Sequence, residues 1–63
     1  MKLKKQKKPP LYIVRMSAVL RYFYNNRLAR AIAASKPMEF YAENDTDTII
    51  EIIRGELPDE RAD

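Results

Sequence analysis

Arg15, Arg21, Tyr22, Phe23, Tyr24, Arg27 and Arg30 fall within one short stretch that contains no carboxylate. Arginines that hold phosphates beside rings that stack on bases form a surface for RNA or single-stranded nucleic acid. Lys2, Lys4, Lys5, Lys7 and Lys8 precede the stretch and extend the same chemistry as a cationic tether. The rings also recur at helical spacing, which is how a small chain builds a core, and that reading stands beside the first.

Other chemistries find less support. From Glu43 to Thr48 carboxylates sit at alternate positions, as at the start of a calcium loop, but the sixth and twelfth positions hold Thr48 and Arg54 where such a loop needs glycine and glutamate. Helix capping accounts for the same residues. Asp47 and Glu51 are one helical turn apart, with nothing nearby in sequence to raise a pKa, so they read as a solvated face. The chain has no histidine and no cysteine, which removes the imidazole base, the thiolate nucleophile and the usual zinc ligands. Gly55 is the sole glycine, so no phosphate-cradling loop can be built. The sequence therefore predicts a non-enzyme with no cofactor, metal or small-molecule substrate.

The charge is divided along the chain. Every residue from 1 to 38 that carries charge is basic, namely Lys2, Lys4, Lys5, Lys7, Lys8, Arg15, Arg21, Arg27, Arg30 and Lys36. All nine acids follow, against only Arg54 and Arg61, and the net charge of +3 hides the asymmetry. One reading gives the basic half to a polyanion and the acidic half to solubility. The other lets the halves face each other, within one molecule or between copies, in surface pairs worth about 0 to 1 kcal/mol each.

These side chains need elements to position them, and 63 residues allow one small domain that hides only about 60% of its unfolded surface. Residues 1–10, with Pro9 and Pro10, read as a disordered basic arm, residues 11–57 as the domain and 58–63 as a polar tail. Leu11 to Met16 is rich in β-branched and aromatic side chains and reads as a strand. Ser17 is an N-cap candidate for a helix over 18–35, in which Leu28, Ala31, Ile32 and Ser35 share a face. An alternative takes Tyr12, Val14, Met16, Ala18, Leu20, Tyr22 and Tyr24 at period two, as one long strand or hairpin over 11–24 followed by a shorter helix. Met38, Phe40 and Ala42 alternate with Glu39, Tyr41 and Glu43 as a second strand over 38–43. A helix over 46–54 is signalled by starters from Asn44 to Asp47, a capping box of Thr48 with Glu51 or a cap one turn earlier at Asp45 or Thr46, a stripe of Ile49, Ile50, Ile52, Ile53 and Leu57, and Gly55 and Pro58 as stops. The expected fold class is α+β, a βαβα domain whose open sheet edges invite a homodimer or a bound partner.

A basic arm, a short strand and then two helices resemble the ribbon-helix-helix repressors over residues 7–24. That resemblance implies an obligate dimer whose paired strands enter the major groove with Tyr12 and Val14, or Ile13 and Arg15, facing the bases. The first helix is longer than in that family, and the 38–43 strand stands where the family has a short turn.

The lysine-rich start and the apolar run to Leu20 suggest a secretory signal, but Arg15 interrupts the run, and Arg21, Asn25, Asn26 and Arg27 precede the small residues at Ala31 to Ala33. No run approaches the ~20 apolar residues of a membrane span. With no disulfide chemistry, the chain is placed in the cytoplasm. The expected function is stoichiometric binding, with Lys2, Lys4, Lys5, Lys7, Lys8, Arg15, Arg21, Arg27 and Arg30 on nucleic acid. The alternative is an inhibitor or adaptor that occupies a protein partner through Tyr12, Tyr22, Tyr24 and Tyr41 or through the acidic half.

Overall fold

A computed structural model describes residues 8–58, which form four helices: α1, Leu11–Tyr22; α2, Arg27–Ala34; α3, Met38–Glu43; and α4, Thr46–Glu56. There is no strand among the described residues, so the expected βαβα sheet, its open edges and the paired ribbon of the repressor comparison are all overturned. The dimer argument drawn from those edges goes with them. Residues 1–7 and 59–63 lie outside the described residues, and with them Lys2, Lys4, Lys5 and Lys7.

The first strand becomes α1 because a period of 3.6 fits its core contacts better than a period of two. Tyr12, Met16, Val19 and Phe23 follow one another at i, i+4, i+7 and i+11; Val19 and Phe23 are buried, and Tyr12 and Met16 pack against them. β-Propensity in Ile13 and Val14 is a weak preference that this packing outweighs. Pro10 starts the helix from an extended backbone, φ −58° and ψ 149°, and its carbonyl accepts the Ile13 and Val14 N–H groups at 3.0 and 3.3 Å. The proline pair constrains only residues before it.

The single helix expected over 18–35 breaks at Phe23 to Asn26. Asn26 adopts an extended backbone and its side-chain oxygen accepts the Ala29 N–H at 2.9 Å, so it caps a new helix. That restart rotates the buried face of α2 onto Ala29 and Ala33, with Ile32 partly buried, and leaves Leu28 exposed. Pro37 then opens α3 rather than a strand. A helical turn carries Tyr41, expected on an exposed face, to 2% exposure, where its hydroxyl donates to the Ala33 carbonyl. The same burial pushes its phenol pKa above the ordinary value.

The helix over 46–54 is correct in kind and extends to Glu56. Asp45 caps it by accepting the Thr48 N–H at 2.9 Å. Gly55 does not stop it; the chain leaves the helix at Leu57, extended at ψ 145° as the residue before Pro58 must be. Of the four isoleucines, Ile49 and Ile53 are fully buried, each contributing about 1.5 to 3 kcal/mol. Ile50 is half-buried and Ile52 is exposed.

Candidate nucleic-acid interface

The restart at Asn26 decides where the arginines go. On α2 a spacing of three puts Arg27 and Arg30 on one face, opposite the buried Ala29 and Ala33. Ala31 and Ala34 lie between and beyond them on that face, and Leu20 of α1 reaches the same surface. Together these five side chains line an open groove of about 350 Å³. Its floor is apolar and its charged groups are two guanidinium ions. Both arginines are exposed, and among the described residues neither pairs with a carboxylate.

Tyr24 is not part of the groove lining but adjoins it through Arg30. Tyr24 stands at 68% exposure in the turn between α1 and α2, and the Arg30 guanidinium carbon lies 5.7 Å from its ring centroid, within cation–π range. Tyr22, 56% exposed, meets the buried Phe23 edge to face with centroids 4.8 Å apart. The groove can therefore offer an anion two fork-shaped donor groups, and the exposed Tyr24 ring beside Arg30 can offer a face to a planar group.

The other basic residues divide. Arg15 is taken up by the fold: its guanidinium donates to the Tyr41 carbonyl at 2.6 Å and the Ala42 carbonyl at 3.1 Å, satisfying the end of α3. Arg21 is exposed in the last turn of α1, outside the groove lining, and Lys8 is exposed before the prolines. Lys36 forms an ion pair with Glu56 at 2.5 Å. No family model, curated protein or solved structure matches the chain. Of the tyrosines expected at a partner surface, Tyr22 and Tyr24 are exposed, Tyr12 is half-buried against the core and Tyr41 is buried.

The charge division persists in three dimensions. Exposed Arg21, Arg27 and Arg30 belong to α1 and α2, whereas exposed Glu39, Glu43, Asp47, Glu51 and Glu56 belong to α3 and α4, with exposed Arg54 among them. Among the described residues only the Lys36 to Glu56 ion pair joins the two halves. No helix among the described residues is long and apolar enough to cross a membrane.

Leu20, Ala31 and Ala34 were missed by sequence reasoning. The i, i+3, i+4, i+7 spacing of Arg27, Arg30, Ala31 and Ala34 was available as a signal, but only a helix that starts at Arg27 makes it an outer face.

Proposed function

We propose that this chain is a small non-enzymatic protein that binds nucleic acid through the α1 to α2 side of the molecule, with Arg27 and Arg30 as the central phosphate contacts. Arg21, Lys8 and the lysines before it extend the positive field. The observation that carries this reading is the convergence of two exposed arginines, unpaired among the described residues, on an apolar-floored groove beside an exposed tyrosine. Arg15 is not a contact in this proposal, because both of its carbonyl partners belong to the fold.

The test is fluorescence anisotropy of a labelled oligonucleotide titrated with the full chain at several salt concentrations. Counterion release makes log K fall with log salt by about 0.7 per phosphate contact on a single strand and about 0.9 on B-DNA. Replacing Arg27 and Arg30 by alanine flattens a single-strand slope by about 1.4 in all. A slope near zero in the unaltered protein overturns the proposal.

A protein-directed inhibitor or adaptor is the second reading, favoured by the exposed Leu11, Val14 and Tyr22 along one side of α1. It expects binding to a protein to survive deletion of residues 1–8, whereas nucleic-acid binding weakens on that deletion.

A further inference from the structure

We infer that the groove takes single-stranded nucleic acid, with one base stacked on the free face of Tyr24 and the adjoining phosphates held by Arg27 and Arg30. This rests on the nucleic-acid reading above and adds the form of the ligand. The Arg30 guanidinium lies over one side of the Tyr24 ring, and the ring is nonetheless 68% exposed. Its other side is open to a planar partner. An arginine held against a tyrosine also steadies the ring, so less rotamer freedom remains to be lost when a base arrives.

The groove shape points the same way. A duplex offers this surface its phosphates and groove edges, but its base faces are stacked inside and cannot meet the open face of Tyr24. A helix that reads the major groove must stand clear of its neighbours. Here the outer face of α2 instead borders a shallow, open depression, with Leu20 of α1 at its edge. Splayed bases use the ring and the apolar floor of Leu20, Ala31 and Ala34, while the guanidinium groups follow the backbone.

The experiment compares binding of the full chain to labelled oligo-dT, oligo-U and a DNA duplex of equal length at one salt concentration. It is repeated with Tyr24→Ala and Tyr24→Phe, and the melting of both variants is checked because Tyr24 is exposed. The expected result is tighter binding of the single strands than of the duplex. Tyr24→Ala should weaken single-strand binding by about five- to a hundredfold with duplex binding unchanged, and Tyr24→Phe should restore it. Equal affinity for duplex and single strand, or a Tyr24→Ala variant that binds the single strands normally, overturns this inference and leaves the nucleic-acid proposal standing. Binding to none of the three probes overturns both.

Discussion

α1 and α4 pack against each other and differ in length by one residue, yet they are helical for different reasons. α4 carries its instructions locally: an Asp45 cap, Asp47 in the first turn, Arg54 in the last turn and a proline just beyond its end. α1 has no side-chain cap and no acid in its first turn. It is held from outside, by Val19 and Phe23 in the core and by Arg15 on the α3 carbonyls. The helix that depends on its neighbours is also the one that borders the groove. A surface built from α1 and α2 thus exists only once the whole domain has packed.

The largest effect should come from breaking α1 at the core. Phe23→Ala removes a ring that is 6% exposed and should cost about 3 to 5 kcal/mol, enough to abolish a cooperative thermal transition in a domain this small. If the helical circular dichroism and a sharp melt both survive, α1 does not owe its helix to packing.

Tyr41→Phe tests the tie from α3 to α2. It removes the hydroxyl donor and leaves the Ala33 carbonyl with only the Lys36 N–H at 3.3 Å, and should cost about 0.5 to 1.5 kcal/mol in chemical denaturation. It should also change the alkaline limb of stability. Because burial raises the Tyr41 phenol in the folded protein, its contribution is intact below the ordinary tyrosine pKa of about 10 and is lost as pH rises through the raised folded value. The phenylalanine variant should lose that dependence.

Asn26→Ala removes the cap that restarts the chain after α1 and should cost about 1 kcal/mol, seen as faster amide exchange in the first turn of α2. The smallest effect belongs to α4. Hydrogen bonds donated by the Thr48 hydroxyl first and the Thr48 backbone N–H second hold the exposed Asp45 carboxyl below its usual pKa. Its contribution is present above the ordinary aspartate value of about 3.9 and disappears as pH falls through the lowered one. Asp45→Asn keeps a cap and should flatten that acid limb in a pH series of melts.

The same contrast explains what could be read from the chain. α4 was legible because its capping, charge and stop signals coincide in adjacent residues, although Gly55, the Thr48 to Glu51 capping box and Ile52 in the apolar stripe misled. The stretch from Leu11 to Tyr24 carried two patterns at once, apolar side chains at every even position and a stripe of Tyr12, Met16, Val19 and Phe23. Only the partners that bury the stripe decide between them. In α3 six residues hold too few repeats to separate two periods, and Tyr41 fell on the side read as exposed. The break at Asn25 and Asn26 was the missed local signal. Charge alone singled out Arg21, Arg27 and Arg30, which the structure leaves exposed, while the structural use of Arg15 depended on α3, which is distant in sequence. The groove itself, with Leu20, Ala31 and Ala34, depended on the α1 to α2 turn.

The most direct test of the central claim is an NMR titration of the isotope-labelled full chain with oligo-dT. The account predicts helical backbone shifts over 11–22 and 38–43, and perturbations on binding that gather at Leu20, Tyr24, Arg27, Arg30, Ala31 and Ala34 and spare the outer face of α4. Extended shifts over 11–22, perturbations centred on Asp47 and Glu51, or no perturbation at all would contradict it.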